Sequence, residues 1–348
     1  MAARGEGSWV RAAGRLAVAA AWVGSAEALA QEDVISFEAT TTVEHGVDTP
    51  KLTFHPCVGG TMQATLRCPT KTFTLDTKMA AGQPIVLALT GLPEGVHACE
   101  AAVALRTSDG TTGDMGFALT VASLKQLQLG ATIDDYDRVN GALVVHADRD
   151  VVDARATLYG PRGVVIGSAT ADLTDPRTPK LRWGAVGQEV VKVEVEAQDA
   201  NGFRTVLEVL PWFYAIPHED VVFESGQDLV REGEQAKLER SWAEVVKAME
   251  LYGSVMEIRL YVAGYTDTVA DAGSNLALSE RRAKSIAAWF RARGFRGPVL
   301  YQGFGEAALA VPTADGVDEP ANRRALYVLA ANTPPTSPDL PRSDWKRL

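Results

Sequence analysis

Asp267 and Arg282 are the two side chains whose types and spacing best suit recognition of a charged ligand. Apolar residues alternate with charged ones over 256–262, which predicts a strand that runs into the loop holding Asp267. A helix is predicted to follow, with Arg282 in its first turns. A carboxylate at the end of a strand and an arginine at the start of the next helix can face one cleft. Because aspartate accepts from an ammonium and arginine grips a carboxylate with two parallel donors, the pair suits a ligand that carries both groups.

The helix that would carry Arg282 has sequence signals at both ends. Asn275 or Ser279 can serve as its N-cap, because a short polar side chain there accepts a hydrogen bond from the first turn. Gly294 supplies its end, since glycine readily takes the left-handed conformation of a C′ residue. The N-terminus of such a helix would add N–H donors for a bound carboxylate.

The stretch 264–283 resembles the signature of the OmpA-like peptidoglycan-binding domain, and the resemblance extends over about residues 220–331. The residues that carry it are Thr266-Asp267, Asn275, Leu278-Ser279 and Arg282-Ala283, followed in family order by Gly303-Phe304-Gly305-Glu306 and Asn322-Arg323-Arg324. Two positions depart from the family pattern. Tyr265 stands where many relatives have histidine, and Val269-Ala270-Asp271 replaces a common glycine.

This resemblance implies that Asp267 and Arg282 clasp the diaminopimelate of the peptidoglycan stem peptide. Asn275 and Thr266 are weaker candidates, which either shape the loop or add a hydrogen bond. Arg324 is a secondary candidate, with a contact to the glycan or a structural role at the start of the last strand. The plain alternative is a surface ion pair between Asp267 and Arg282, worth under about 1 kcal/mol.

Length and composition indicate a protein of two or three globular domains. The chain has 348 residues, of which 46% are hydrophobic and 22% charged. Its formal net charge of −10 argues against a nucleic-acid partner, whose phosphates require a basic face.

Residues 1–30 have the pattern of a secretory signal peptide. Arg4, Arg11 and Arg15 precede a short apolar run at 16–23, and an A-x-A cleavage site ends the segment at Ala30. The run is shorter than the roughly 20 residues that span a bilayer. The sequence therefore predicts export to the periplasm, in association with peptidoglycan and the outer membrane, and no transmembrane helix in the mature chain.

Three cysteines lie in the first third of the chain, at Cys57, Cys68 and Cys99. In an oxidising compartment they predict one disulfide. All three pairings remain open, and Cys68–Cys99 is favoured because both residues lie in strand-like runs. No metal site and no cofactor are expected.

Residues 31–125 and 126–216 each contain short alternating runs separated by glycine-rich turns, which predicts two all-β modules of immunoglobulin-like sandwich type. These modules could present a surface to other envelope proteins. An outer-membrane β-barrel is the alternative, although the runs are shorter than the roughly ten-residue strands of such barrels.

Residues 217–331 predict an α+β domain of order β-α-β-α-β-β, with its first strand at 221–223. The aromatic residues 212–214 are expected to pack at its interface with the preceding module. Residues 332–348 contain four prolines among polar residues, and we expect them to be a disordered tail.

The leading hypothesis is a non-catalytic protein that binds peptidoglycan in a Gram-negative envelope. A cell-wall enzyme is one alternative, but the sequence contains no nucleophile elbow, no H-E-x-x-H motif and no Cys–His pairing. The other alternative is an outer-membrane barrel with a periplasmic wall-binding tail.

Overall fold

The computed structural model describes residues 34–223 and 227–348. The predicted signal peptide at 1–30 lies outside the described residues. The described residues divide into two compact units, with the boundary between Gln126 and Leu127. No helix in the described part is long and apolar enough to cross a membrane.

The first unit is built from β-strands in two sheets. Its strands are β1 (Ile35–Thr40), β2 (Thr42–Glu44), β3 (Lys51–Pro56), β4 (Gly60–Arg67), β5 (Thr72–Met79), β6 (Ile85–Ala88), β7 (Gly95–Thr107) and β8 (Thr112–Leu124). The sheet orders are β1-β3-β6 and β2-β8-β7-β4-β5. Along β7, every second residue from His97 to Leu105 is buried, which is the two-residue period of a strand with one face on a core.

The disulfide joins Cys68 to Cys99, the pairing that the strand positions favour. Both residues are buried in the core of the first unit, whereas Cys57 is exposed. The immunoglobulin-like type of this unit remains a prediction.

The second unit begins with another β-rich region. Its strands are β9 (Leu129–Gly130), β10 (Tyr136–Asp137), β11 (Ala142–Val144), β12 (His146–Ala147), β13 (Val151–Tyr159), β14 (Val165–Asp172), β15 (Lys180–Arg182), β16 (Lys192–Asp199) and β17 (Arg204–Val209). Seven of them form a sheet of order β10-β11-β15-β14-β13-β16-β17, and β9 pairs with β12. One turn of this region, after β16, is fixed by the buried Asp199, which pairs with Arg149.

The rest of the second unit is an α+β region. It comprises β18 (Phe213–Ala215), α1 (Gln235–Tyr252), β19 (Arg259–Tyr265), α2 (Ala272–Arg293), β20 (Val299–Gly305), β21 (Ala325–Ala330) and β22 (Lys346–Arg347). The sheet order is β18-β21-β19-β20-β22, in which β19 and β20 are parallel and the other pairs antiparallel. Short 3₁₀ turns occur at Ile133–Asp135, Pro161–Gly163, Glu232–Glu234 and Pro320–Asn322.

Both helices pack on one face of this sheet. Leu238 and Val245 of α1 join Ile286 and Phe290 of α2 in a core with Leu260 of β19, and all five are fully buried. Because neighbouring strand residues point to opposite faces, the other face carries a second apolar cluster. The second β-rich region shares the helix-side core through Val191, so it is packed directly against the α+β region.

The predicted first strand at 221–223 is wrong. The backbone N–H of Val222 donates instead to the Glu234 side chain at 2.9 Å. The first strand of the sheet is β18, which pairs antiparallel with β21. Its neighbour Trp212 is buried and packs on Tyr252 of α1, with ring centroids 4.5 Å apart.

The predicted N-cap of α2 is also wrong. The helix begins earlier, with Asp271 as its cap, and the Asp271 carboxylate accepts from the Ser274 N–H at 3.0 Å. Gly294 ends the helix as predicted, with a positive φ of 124°. The Asn275 side chain bonds to the loop that precedes the helix and to Glu306, and the Ser279 hydroxyl bonds to Leu276 of the same helix and to Gly305 of β20.

Residues 332–348 are packed on the sheet, which corrects the prediction of a disordered tail. Leu340 is buried in the cluster on the sheet face opposite the helices, and Trp345 packs against the same cluster. Two residues of this segment form β22 beside β20. The segment is ordered despite its prolines, because burial of the large apolar side chains of Leu340 and Trp345 stabilises the packed conformation.

Candidate functional site

Asp267 lies in the loop that follows β19, with its side chain 11% exposed. Its Oδ2 accepts a hydrogen bond from Arg323 Nη1 at 2.6 Å. Its Oδ1 has a longer contact, 3.4 Å, with the N–H of Val269. The carboxylate is therefore held firmly through one oxygen and loosely through the other.

Arg282 lies on α2 and is also buried. Its guanidinium stacks over the Phe223 ring at 5.0 Å, and its Nε donates to the carbonyl oxygen of Gln227 at 3.1 Å. Burial lowers the pKa of Arg282, and the negative charge of Asp267 acts in the opposite direction. An arginine remains protonated in proteins even so. Two buried residues of opposite charge thus face the same part of the domain.

Arg323 joins the site from the segment before β21. It donates to Asp267 and also forms an ion pair with Asp318. These two hydrogen bonds raise the pKa of Arg323, with Asp267 the larger cause. Sequence reasoning placed Arg323 within a family landmark but gave it no role, because 56 residues separate it from Asp267 along the chain.

Asn275 fastens the loop that carries Asp267. Its Nδ2 lies within hydrogen-bond distance of three oxygens: the Asp267 carbonyl at 3.1 Å, the Ala270 carbonyl at 2.9 Å and Glu306 Oε2 at 2.6 Å. Only 2% of Asn275 is exposed. Of the two roles open from the sequence, the geometry favours shaping the loop over touching a ligand.

Thr266 is buried beside Asp267, and its N–H donates to the Gly305 carbonyl at 2.9 Å. Its hydroxyl has no hydrogen-bond partner among residues 34–223 and 227–348. Thr268, two residues further on, uses its hydroxyl to bind the Ala314 carbonyl at 2.7 Å. The loop is thereby joined to the segment between β20 and β21.

Two glycines let α2 approach the sheet closely at this point. A Cβ on Gly264 would lie 2.4 Å from the Ser279 carbonyl oxygen, and one on Gly303 would lie 2.3 Å from the Glu280 nitrogen. Both distances are shorter than any side chain tolerates, so only glycine fits. In the same contact, Ser279 Oγ accepts from the Gly305 N–H at 2.9 Å. These contacts set the position of the helix that carries Arg282.

Arg324, the secondary candidate, is bound to the C-terminal segment. Its Nη2 donates to Asp339 Oδ1 at 2.6 Å, and its guanidinium lies over the Tyr265 ring at 4.6 Å. Arg323 and not Arg324 therefore contacts Asp267.

A small cavity of about 10 Å³, close to the volume of one water position, lies between Phe223, Arg282, Arg323 and Arg324. Within the described residues we find no group of three or more His, Cys, Asp or Glu side chains arranged to hold a metal ion. The site thus contains the buried carboxylate of Asp267 and several guanidinium groups, with the buried hydroxyl of Thr266 beside them.

Several solved structures are similar to part of this chain. The peptidoglycan-associated lipoprotein from Burkholderia pseudomallei is 23% identical, with 32% of this chain and 87% of that chain covered and a TM-score of 0.24. The periplasmic domain of Helicobacter pylori MotB is 16% identical, with 40% and 88% covered and a TM-score of 0.28. The OmpA-like domain of FopA1 from Francisella tularensis is 15% identical, with 47% and 80% covered and a TM-score of 0.25.

A search of curated proteins gave no match. Residues 222–323, which contain Asp267, Arg282 and Arg323, match the family model described as the OmpA family. This part of the chain is an OmpA-family domain.

Proposed function

We propose that the OmpA-family domain binds peptidoglycan without catalysis, by holding the diaminopimelate of the stem peptide between Asp267 and Arg282. The observation that carries the proposal is the burial of these two opposite charges on adjoining elements, at the end of β19 and in α2. An aspartate and an arginine together match the ammonium and the carboxylate of a zwitterionic ligand, since the aspartate accepts from the ammonium and the arginine donates to the carboxylate.

The side chain of diaminopimelate ends in an ammonium and a carboxylate on one carbon. On this proposal the ammonium donates to Asp267, whose Oδ1 has, among the described residues, only the 3.4 Å contact with Val269. The carboxylate binds the Arg282 guanidinium and takes the place of the Gln227 carbonyl at Nε. Thr266 is the third contact, since its buried hydroxyl could donate to the same carboxylate.

The remaining parts of the proposal concern where the protein works. The signal-like segment 1–30 supports export to the periplasm, and the Cys68–Cys99 disulfide suits an oxidising compartment. The β-rich regions would then separate the wall-binding domain from other envelope components or present a surface to them.

The test is co-sedimentation of the mature protein with purified peptidoglycan that contains diaminopimelate. We expect Asp267→Ala and Arg282→Ala to abolish co-sedimentation, because each removes charged hydrogen bonds worth about 1.5–3 kcal/mol apiece. Free diaminopimelate should compete, whereas Nα-acetyl-lysine amide, whose side chain ends in an ammonium without a carboxylate, should not.

Arg281→Ala is the matched control. Arg281 is the neighbouring residue on α2, but its side chain is 53% exposed and pairs with Asp228 at 3.4 Å. This variant should sediment with the wall as the wild type does. Full co-sedimentation of both the Asp267 and Arg282 variants would overturn the proposal.

A further inference from the structure

The C-terminal segment 337–347, here called the strap, crosses the sheet face opposite the helices. Its first part is a tight turn in which the backbone groups of Ser337 and Leu340 form two hydrogen bonds of 3.0 Å. Leu340 is buried in the apolar cluster of that face. The strap ends as β22, which adds a short antiparallel strand beside β20.

Asp339 of the strap binds two residues that adjoin the candidate site. Its carbonyl oxygen accepts from the Tyr265 hydroxyl, and its carboxylate accepts from Arg324 at 2.6 Å. Tyr265 lies two residues before Asp267, and Arg324 directly follows Arg323. Asp339 therefore connects the two chain segments whose side chains form the ion pair of the site.

The connection to the ion pair runs through the backbone. The N–H of Tyr265 donates to the Arg324 carbonyl at 3.0 Å, so the two segments are also bonded to each other. Arg324 lies over the Tyr265 ring at 4.6 Å. Burial raises the pKa of Tyr265, which keeps its hydroxyl protonated as a donor to Asp339.

Trp345 and Lys346 reach the two other segments of the site. Trp345 packs edge-on against Phe304, with centroids 6.1 Å apart, and Glu306 two residues later binds Asn275. Lys346 forms an ion pair of 2.7 Å with Glu280 on α2. The strap thus contacts four elements beside the site: the end of β19, the end of β20, the segment before β21 and the middle of α2.

We propose that the strap is a positioning element of the diaminopimelate site, with Asp339 and Trp345 as its positioning residues. The inference rests on the proposed function. Neither residue contacts the ligand. They act by fixing the relative position of Asp267, Arg323 and the helix that carries Arg282, because a preorganised site binds with less ordering cost than a mobile one.

The experiment compares Asp339→Ala and Trp345→Ala with wild type in two measurements on the full mature chain. Binding to diaminopimelate-type peptidoglycan should weaken by about threefold to thirtyfold, the usual range for coupling through neighbouring residues. Amide hydrogen exchange at Tyr265 and Thr266 should become faster, since these N–H groups donate to the carbonyls of Arg324 and Gly305, which lie in or beside the segments that the strap contacts. Asp339→Glu, which keeps the carboxylate, should bind as wild type.

Asp344→Ala is the matched control, because it removes the same charge from an exposed position of the same strap. It should change neither measurement. Unchanged affinity of Asp339→Ala and Trp345→Ala would overturn the proposal, as would weaker binding with unchanged exchange at Tyr265 and Thr266. If the proposed function is wrong, the wild type itself will not bind peptidoglycan. The exchange rates at Tyr265 and Thr266 would then still show whether the strap orders the loop.

Discussion

Two ion pairs between a buried aspartate and a partly exposed arginine lie in the second unit, one in its β-rich region and one in the OmpA-family domain. Asp199 pairs with Arg149 at 2.6 Å, and Asp267 pairs with Arg323 at 2.6 Å. The difference lies in what surrounds each carboxylate. Asp199 is held on all sides within a turn, whereas Asp267 keeps capacity to accept further hydrogen bonds.

The second oxygen of each carboxylate shows the contrast. Asp199 Oδ1 accepts from the N–H groups of Asn201 and Phe203, at 2.8 and 3.0 Å. Within residues 34–223 and 227–348, Asp267 Oδ1 has one contact, of 3.4 Å, and Arg323, which binds Oδ2, is 38% exposed. A carboxylate whose acceptor positions are all used stabilises a fold, while one with a position left, in the same site as the buried Arg282, suits a ligand ammonium. Equal ion-pair lengths therefore do not imply equal roles.

The largest expected effect on stability is that of Asp199→Ala. The change leaves Arg149 without its buried partner and removes the acceptor for two backbone N–H groups, so we expect a loss of about 3–5 kcal/mol in the free energy of unfolding. Urea denaturation measures this loss. Binding to peptidoglycan, measured well below the unfolding transition, should stay at the wild-type level.

The opposite result would remove the distinction between the two pairs. If Asp199→Ala weakened wall binding as much as Asp267→Ala does, at equal folded fraction, then the β-rich region would take part in recognition. The assignment of one pair to the fold and the other to the ligand would be wrong.

The next prediction compares the arginines of the two ion pairs, Arg323 and Arg149, in their effects on binding and on stability. Arg323→Met should weaken binding about tenfold, equivalent to about 1.4 kcal/mol, because Asp267 loses the hydrogen bond that orients it. Its stability should change little, since the side chain is partly exposed. Arg149→Met is the matched variant and should show the reverse pattern, with lower stability in urea and unchanged affinity. Parallel behaviour of the two variants would contradict the comparison.

The elements that hold the candidate site residues could be predicted from the sequence where those elements follow one another along the chain. Asp267 and Arg282 follow from a strand, a loop and a helix that adjoin along the chain, and the structure places them on those elements. Arg323 could not be identified as the partner of Asp267, because the contact depends on how β21 lies beside β19. The same holds for Asn275, whose bond to Glu306 crosses from one loop to another.

The fold predictions were wrong for two segments, 221–223 and 332–348, whose conformation depends on packing against distant parts of the chain. Residues 221–223 have the composition of a strand, but β18 forms the edge strand of the sheet instead. The buried Trp212, which precedes β18, packs in the core that α1 also contributes to. The proline-rich composition of 332–348 is typical of a disordered segment. Leu340 and Trp345 nevertheless meet an apolar sheet face whose existence the local sequence does not reveal.

The smallest expected effect concerns Asp271, a third aspartate, at the end of the loop that holds Asp267. Like Asp199, it is expected to stabilise the fold and not to bind a ligand. It caps α2, and its hydrogen bonds with Ser274 lower the pKa of its carboxyl group. Asp271→Asn keeps an acceptor for the cap but removes the charge that favours the helix N-terminus. Binding should remain unchanged, and Tm at neutral pH should fall slightly.

The pH dependence of that small difference is the decisive measurement. A carboxyl group whose pKa is lower in the folded state stabilises the fold when it is ionised. This contribution is complete at pH values above the unfolded-state pKa, near 3.9 for aspartate, and is lost as the pH falls through the folded-state pKa. The Tm gap between wild type and Asp271→Asn should therefore be present at pH 7 and close in that acidic range. Asp271→Ala should remain less stable throughout, because it has no cap acceptor at any pH. A loss of peptidoglycan binding by Asp271→Asn at neutral pH would instead indicate that Asp271, like Asp267, takes part in ligand binding. The number of hydrogen bonds that a carboxylate accepts within the fold would then not distinguish binding residues from structural ones.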